Sequence, residues 1–195
     1  MQSNIERTGS SSQGPSLTLI FKLIVVGDSG VGKSTFIEKF SQEILEERET
    51  NAQKVKVHKA VFPTTLGDIQ FNILDLDVAK IETELPKEFL KDVNCAIIMF
   101  DVSNIESYEN CKAWFTKIQE SDDEGAEANM PMVLTGNKVD IKERLVKPKM
   151  IVFHREKNMQ YYDISAQQDY SIQKPFIYII RKLVGDPQLD LVQKE

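Results

Sequence analysis

Two kinds of hydrophobic pattern alternate along most of this chain. Short apolar runs of strand length recur at residues 17–26, 55–62, 69–74, 95–100, 132–135 and 160–164. Stretches with helical spacing of apolar residues lie between and after them, and the last, at residues 176–184, is followed by Gly185, a residue type that often ends helices. Such alternation predicts an α/β fold with a mostly parallel sheet of six strands and helices on both faces.

Two segments add detail to this predicted sheet. The runs at residues 58–62 and 69–71 are joined by the sequence PTTLGD, a hairpin-like turn, so we expect one antiparallel edge strand. Residues 43–49, EILEERE, are rich in helix formers and acids. They therefore predict a longer first helix with a charged, solvated face.

Length and composition bound the organisation of the chain. Its 195 residues suit one ordinary domain. Residues 1–16 are polar and without periodicity, which predicts a disordered N-terminal tail. We expect the domain to span residues 17–187 and a short C-terminal tail to span residues 188–195.

Charge and cysteine content exclude several classes of function. Lys and Arg total 24 and Asp and Glu total 30, a net charge of −6 that disfavours nucleic acid and anionic membranes as partners. No apolar run approaches the roughly 20 residues of a membrane span, and neither end carries a lipidation signal. Cys95 and Cys111 are expected to be buried free thiols. We expect a soluble intracellular monomer.

Residues 27–34, GDSGVGKS, fit the phosphate-loop pattern G-x-x-x-x-G-K-[ST]. An apolar run precedes them and a helical pattern follows, a context that favours a phosphate loop over a glycine-rich turn with a surface lysine. Glycines let consecutive N–H groups turn toward an anion. Lys33 is expected to reach the β and γ phosphates, and the Ser34 hydroxyl to ligate Mg²⁺. The candidate phosphate-binding residues are Asp28, Ser29, Gly30, Val31, Gly32, Lys33, Ser34 and Thr35.

A second motif, N-K-x-D at residues 137–140, leads off the run at 132–135 and indicates guanine recognition. Asp140 can accept hydrogen bonds from the N1–H and 2-amino groups of guanine, which adenine lacks. Asn137 and Lys138 are expected to hold the loop and flank the base. Because ligands of open α/β sheets gather at the carboxyl ends of strands, a third loop is expected to meet these two. Its candidate residues are Ser165, Ala166 and Gln167.

With these motifs the chain resembles small GTPases of the Ras superfamily, and within it the Ran subfamily. The likeness is densest in the strings CAIIMFDV at 95–102, GNKVDIK at 136–142, IVFHR at 151–155, YYDISA at 161–166 and RKLVGDP at 181–187. The resemblance implies a Ras-like P-loop NTPase domain with GTP or GDP and Mg²⁺, the metal held by Ser34 and, through water, by Asp75. It also implies a place in nucleocytoplasmic transport, in nucleus and cytoplasm, with nuclear transport receptors or Ran regulators as partners.

The chain departs from this family where the γ-phosphate is sensed. The family pattern Asp-x-x-Gly-Gln reads DLDVA here, at residues 75–79. Ala79 has no polar group to orient the attacking water, so no catalytic residue is assigned, and Val78 adds a Cβ that restricts the backbone. Counting from the phosphate loop without gaps places Ala52 where a threonine would ligate Mg²⁺; a register shift would bring Thr50 there instead.

Three functions remain open at this point. The favoured one is a pseudo-GTPase that binds GTP or GDP and hydrolyses GTP poorly. The others are a slow but active GTPase switch of nuclear import or export, and a nucleotide-free scaffold. The intact phosphate loop and N-K-x-D oppose the scaffold, whereas Val78 and Ala79 oppose the active switch. Four glutamates in residues 43–49 would also repel a triphosphate. Glu156 interrupts the basic run at 154–157, and we expect the altered switch loops to weaken partner binding.

Overall fold

A computed structural model of the protein describes residues 5–6, 18–50, 53–77, 90–120 and 130–192. The strands are β1 (Ile5–Glu6), β2 (Thr18–Val26), β3 (Glu43–Thr50), β4 (Gln53–Thr64), β5 (Gly67–Asp77), β6 (Cys95–Asp101), β7 (Met132–Asn137) and β8 (Gln160–Asp163). The helices are α1 (Lys33–Glu38), α2 (Ile105–Glu109), α3 (Cys111–Glu120), α4 (Phe153–Glu156) and α5 (Lys174–Val184), with a 3₁₀ turn at Pro148–Met150.

These strands form one sheet in the order β3-β4-β5-β2-β6-β7-β8, with the two-residue β1 antiparallel to β2. Strands β5, β2, β6, β7 and β8 are parallel, whereas β4 is antiparallel to both of its neighbours. The predicted α/β sheet is confirmed, but the strand count of six is too low. Antiparallel pairing at one edge of the sheet is confirmed as well, but it involves two strands, since β3 lies outside β4. The predicted hairpin turn lies between β4 and β5.

The edge strand β3 replaces the predicted longer first helix, and that prediction was wrong. Helix α1 ends at residue 38, and the acidic segment pairs with the lysine-rich β4. Glu43 lies opposite Lys59 and Glu47 opposite Lys56, with Nζ–Oε distances of 3.7 and 4.0 Å. Helix propensities differ by at most about 0.7 kcal/mol per ordinary residue, so tertiary pairing readily overrides them. Oppositely charged cross-strand pairs and ladder hydrogen bonds favour the strand.

Helices cover both faces of the sheet, because the central strands are too apolar to face water. Strands β6 and β7 are buried along their whole length. On the face covered by α1 and α5, Phe176 is the centre of a phenylalanine cluster, with ring centroids 4.6 to 5.9 Å from those of the other members. Those members are Phe36, Phe40, Phe62 and Phe71. Trp114 of α3 and Phe153 of α4 are buried on the other face.

The C-terminal end of α5 matches the sequence prediction. Gly185 adopts a left-handed conformation with φ of 75°, and its N–H donates to the carbonyl of Arg181 at 3.0 Å. Beyond it, the chain returns to the β4–β5 turn. Leu189 is fully buried there, and the Val192 N–H donates to the Pro63 carbonyl at 2.9 Å. Part of the segment predicted as a tail is therefore packed. Of the predicted N-terminal tail, only Ile5–Glu6 lies within the described residues.

Two compositional expectations concern the cysteines and the membrane. Cys95 and Cys111 are buried free thiols, as predicted, and burial raises the pKa of each well above its ordinary value. Both thiols are therefore protonated and serve as small apolar side chains. Within the described ranges, no helix has the length and apolar character needed to cross a bilayer.

We predict that the charge pattern of the β3–β4 hairpin contributes measurably to its stability. Lys59→Glu places two carboxylates opposite each other and should lower the amide-exchange protection of β3 a few-fold, since an exposed pair contributes about 0.2–1 kcal/mol. The double variant Glu43→Lys/Lys59→Glu restores opposite charges and should recover protection, because the residue opposite Lys59 on β5 is the neutral Asn72. A double variant no better protected than Lys59→Glu would show that the pairing is energetically irrelevant.

Candidate nucleotide-binding site

The parallel strands bring the predicted motifs to one edge of the sheet. Strands β2, β5, β6, β7 and β8 run in the same direction, so their carboxyl ends meet. Gly27 follows β2, Asp101 and Asn137 end β6 and β7, and Ser165 comes just after β8. The carboxyl edge of a parallel sheet is where open α/β proteins bind ligands. The observed topology therefore places all three predicted loops where one ligand can touch them.

The phosphate loop requires glycine for space as well as for conformation. Gly27 has φ of 146° and Gly32 has φ of 101°, values that other residues rarely adopt. A Cβ on Gly27 would lie 2.1 Å from the Met99 carbonyl oxygen, and one on Gly32 would lie 2.3 Å from Asn137 Nδ2. The loop is thus in close contact with β6 and β7, and its conformation depends on the absence of side chains at both positions.

A polar cavity of about 230 Å³ opens over this loop and over the start of α1. Lys33 is buried beneath it, and its ammonium donates to the carbonyls of Gly27 at 2.8 Å and Asp28 at 2.9 Å. Ser34 and Thr35 are exposed, so their hydroxyls are available to a ligand. The cavity is lined by Ser29, Gly30, Gly32, Lys33, Ser34, Thr35 and Leu76.

Two of the predicted phosphate-loop residues face away from this cavity. Both carboxylate oxygens of Asp28 accept hydrogen bonds from α3 and the residue just before it, so only its backbone is available to phosphate. Val31 is buried, and its carbonyl accepts from Asn137. Their predicted contribution to phosphate binding is therefore limited to the main chain.

Asn137 joins the three predicted loops through one side chain. It is almost fully buried at the end of β7. Its Nδ2 donates to the Val31 carbonyl at 2.9 Å, and its Oδ1 accepts from the Ala166 N–H at 3.0 Å. The phosphate loop, the N-K-x-D loop and the loop after β8 are thereby fixed relative to one another. Sequence reasoning identified Asn137 but not the bonds that it makes.

Lys138 provides a second connection to the phosphate loop. Its backbone is left-handed, with φ of 66°, a conformation that is uncommon outside glycine and often found at functional sites. The ammonium donates to the Gly30 carbonyl at 2.7 Å and forms an ion pair with Asp101 Oδ2 at 2.6 Å. Sequence reasoning missed Asp101; its only signal was a polar residue at the end of a buried apolar strand.

The Asp101 carboxylate stays ionised because of its neighbours. Burial alone would raise its pKa, but hydrogen bonds from Lys138 and Ser103 outweigh burial, and the pKa lies below its ordinary value. The Ser103 N–H and hydroxyl both donate to Oδ1, at 2.8 and 2.6 Å. A charged Asp101 holds the Lys138 side chain against the phosphate loop at neutral pH.

Asp140, which is predicted to recognise guanine, is exposed and is oriented by the loop after β8. Its Oδ1 accepts a hydrogen bond from Ser165 Oγ at 2.6 Å, and the same hydroxyl accepts from the Gln168 N–H at 3.0 Å. This bond fixes one of the two carboxylate oxygens of Asp140. A cavity of about 430 Å³ adjoins these loops, lined by Val139, Asp140, Asp163, Ser165, Gln168 and Tyr170. Gln167 is exposed on the same loop.

The predicted Mg²⁺ residues lie on neighbouring elements. Asp75 pairs with Val25 across β5 and β2, two residues before the phosphate loop, and its carboxylate is buried. Across the described ranges, no group of three or more His, Cys, Asp or Glu side chains forms a metal cage. Mg²⁺ typically keeps waters and binds one or two carboxylates plus substrate phosphates, so Ser34 and Asp75 suit it. Ala52, Val78 and Ala79 lie outside the described residues.

His58 on β4 is a buried neighbour of Asp75 that sequence reasoning missed. Its Nδ1 lies 2.9 Å from Ser41 Oγ. Its Nε2 has no hydrogen-bond partner among the described residues and lies 4.0 Å from Asp75 Oδ2. A buried polar atom without a partner is uncommon. In the sequence, His58 stands within an apolar run and resembles an ordinary core position.

The fold and these loops define an α/β nucleotide-binding protein with a phosphate loop at the carboxyl edge of its sheet. The Ras family model matches residues 22–185, most of the chain, and the protein belongs to the Ras family. Members of this family are small GTP-binding proteins that generally bind guanine nucleotide with Mg²⁺. The match is consistent with the motifs and with the observed Ras-like strand order.

We predict that Asn137→Ala weakens nucleotide binding as well as the fold, because it removes the bonds that hold the three loops together. The change leaves the Val31 carbonyl and the Ala166 N–H unpaired in a buried setting, at about 1–3 kcal/mol each. Nucleotide affinity should fall at least about tenfold by calorimetry. Thr64→Ala is a matched control, because it removes two hydrogen bonds of a buried hydroxyl in the β4–β5 turn, at the opposite end of β5 from Asp75. Equal nucleotide affinities for the two variants would contradict the proposed junction.

We also predict a defined pH dependence for the Asp101–Lys138 pair. Because the folded-state pKa of Asp101 lies below its ordinary value, its stabilising contribution is complete above that ordinary value and is lost as the pH falls through the folded pKa. Urea unfolding should show wild type more stable than Asp101→Asn by a constant amount from about pH 8 to about pH 5, with the difference shrinking below about pH 4. A difference that stays unchanged down to acid unfolding would exclude an ionic contribution.

Proposed function

We propose that this protein binds GTP or GDP with Mg²⁺ in the cleft formed by its three loops and hydrolyses GTP only slowly. The observation that carries this proposal is the junction at Asn137, which holds the phosphate loop and both base-side loops together through hydrogen bonds of 2.9 and 3.0 Å. Buried polar groups are costly unless every one of them has a hydrogen-bond partner. A chain that had lost nucleotide binding would have no evident need for such groups at this junction.

Phosphate binding would rest on the glycine loop and Lys33. Backbone N–H groups of the loop and the Lys33 ammonium supply positive charge, and Ser34 and Asp75 would hold the metal. Mg²⁺ held there would supply positive charge to offset that of the phosphates. Base selection would rest on Asp140, whose fixed carboxylate matches the paired donors of guanine, with Ser165 orienting it at 2.6 Å.

Slow hydrolysis follows from the residues that replace the family pattern. A glutamine that orients the attacking water, together with an arginine from a partner, accounts for several orders of magnitude in family turnover. Ala79 has only a methyl group, Val78 replaces a glycine near the γ-phosphate, and Ala52 stands where a threonine would ligate Mg²⁺. These changes impair hydrolysis while leaving the groups that hold the nucleotide in place.

The acidic segment at residues 43–49 supports this conclusion less than its sequence indicated. Two of its glutamates, Glu43 and Glu47, lie opposite lysines of β4 instead of projecting as free charges. Their repulsion of a triphosphate is partly neutralised by those lysines. Nucleotide binding is therefore easier to reconcile with this paired strand than with an acidic helix whose charges were unpaired.

We further propose that the protein is a divergent member of the Ran subfamily, acting in nucleus and cytoplasm with nuclear transport receptors or Ran regulators. Five sequence strings support this, among them the buried strand β6 and the C-terminal part of α5. Weakened receptor binding is expected, because Glu156 of α4 interrupts a basic run. Glu156→Lys should then strengthen binding to purified transport receptors, and the tagged chain should appear in both compartments by microscopy. Confinement to one compartment with no receptor binding would remove this part of the proposal.

Nucleotide content is the direct test of binding. Chromatography of the supernatant from heat-denatured purified protein should show GDP or GTP in near-stoichiometric amount. Lys33→Ala should carry little. If wild type carries none and binds none on addition, the chain is a nucleotide-free scaffold and the proposal fails.

A single-turnover measurement tests the second half of the proposal. GTP preloaded on the protein should persist far longer than on active family members. Ala79→Gln should restore little, because Val78 and Ala52 are unchanged. Hydrolysis at a typical family rate would instead identify an active switch, and a large recovery in Ala79→Gln would show that the glutamine position alone matters.

We predict that Asp140→Asn exchanges base preference. An asparagine amide donates where the carboxylate accepted, so guanine nucleotide should bind at least about a hundredfold more weakly and xanthine nucleotide should bind better. Asp169→Asn is a suitable control, since it removes a nearby exposed acid with a similar side chain. An unchanged base preference in Asp140→Asn would refute the guanine assignment.

A further inference from the structure

The carboxylate of Asp28 is bound by Trp114 of α3 and by Asn110, which directly precedes that helix, and Asp28 is not among the residues that line the cavity over the phosphate loop. Its Oδ1 accepts from the indole Nε1 of Trp114, and its Oδ2 accepts from Nδ2 of Asn110, both at 2.8 Å. Trp114 is only 1 % exposed and is the single tryptophan of the chain. We call these three residues the Asp28 clamp.

The geometry of the clamp depends on the helix. Asn110 and Trp114 are four residues apart, one turn, so their side chains project from the same face. The backbone N–H of Trp114 also donates to the Asn110 carbonyl at 3.0 Å, and this bond fixes the turn. Two donors held at this spacing match the two oxygens of one carboxylate. Hydrogen bonds to a charged acceptor are roughly twice as strong as neutral ones.

The same residue also contacts the phosphate-binding lysine. The Asp28 carbonyl accepts from Lys33 Nζ at 2.9 Å, and the neighbouring Gly27 carbonyl accepts from it at 2.8 Å. The side chain of Asp28 is therefore fixed by α3 while its backbone fixes Lys33. A contact that only satisfied the indole N–H would not need to lie inside the phosphate loop.

We propose that Asp28 is a positioning residue, and that the Asp28 clamp couples the phosphate loop to α3. The clamp sets the position of the Asp28 carbonyl and so of the Lys33 ammonium. Nucleotide bound in the cavity then alters the environment of Trp114, and changes in α3 alter nucleotide retention. This inference rests on the proposed function, because it requires that the cavity holds nucleotide.

The first test measures dissociation of a fluorescent GDP analogue from the full-length protein with Mg²⁺. Asp28→Ala should accelerate dissociation about tenfold or more, a loss comparable to a strong pairwise coupling. Trp114→Phe keeps the aromatic body but lacks the N–H, and should accelerate it less. The double variant should be no faster than Asp28→Ala. Additive effects would show that the two side chains act independently and would overturn the clamp.

The second test uses Trp114 as its own reporter. Adding GDP and Mg²⁺ to nucleotide-stripped wild type should change the tryptophan emission. In Asp28→Ala the emission should no longer respond, although bound nucleotide is still detected by chromatography. Thr64→Ala, a destabilised variant in the β4–β5 turn and outside the clamp, should respond as wild type does, which separates positioning from general loss of stability. A full response in Asp28→Ala would overturn the proposal.

The outcomes separate this inference from the proposed function. If wild type neither carries nor binds nucleotide, both the proposed function and the clamp are refuted. If wild type binds GDP and dissociation is unchanged in Asp28→Ala, only the clamp is refuted. If Asp28→Ala does not fold, Asn110→Ala and Trp114→Phe each remove one donor, and unchanged dissociation in both would overturn the clamp equally.

Discussion

The hydrogen bonds of Asn137 are the interaction on which the site depends most. Parallel strands bring five strand ends to one edge of the sheet, but they do not by themselves fix the loops beyond those ends. Asn137 does so from a buried position, with one group bonded to Val31 and the other to Ala166. The same side chain also leaves no room for a Cβ on Gly32. The glycine of the phosphate loop and the asparagine of the base-side motif therefore form one packing unit.

Around this junction, charged groups hold the loops at their ends. Lys138 joins Asp101 to the Gly30 carbonyl, and Ser165 orients Asp140. Each contact pairs a charged group with an opposite charge or with a hydrogen-bond partner, which limits the cost of placing that charge near the buried strand ends. Contacts between protein groups thus fix the loops relative to one another. Under the proposed function, holding a nucleotide would rest on fixed groups such as these, whereas hydrolysis would need an additional group that orients water, and an alanine at position 79 has no polar atom for that role.

The parts of the fold that depend on local sequence were predictable. Apolar runs located the strands, and Gly185 located the end of α5. The parts that depend on distant partners were not. Strand β3 forms because lysines of β4 lie opposite its glutamates, and the helix-forming tendency of Glu and Leu concealed this. The bond from Trp114 to Asp28 joins residues 86 positions apart, and the contact of His58 with Asp75 depends on strand register. Motifs therefore named the site residues but not their supporting partners.

The acidic edge of the sheet has a consequence for encounters between copies of the protein. Edge strands present unpaired backbone groups and tend to recruit other strands. Here the edge strand β3 carries Glu43, Glu46 and Glu47, so two such edges brought together would align carboxylates with carboxylates. Like charges directly opposite each other destabilise strand pairing. The charge pattern that pairs β3 with β4 inside one molecule thus opposes the same pairing between molecules.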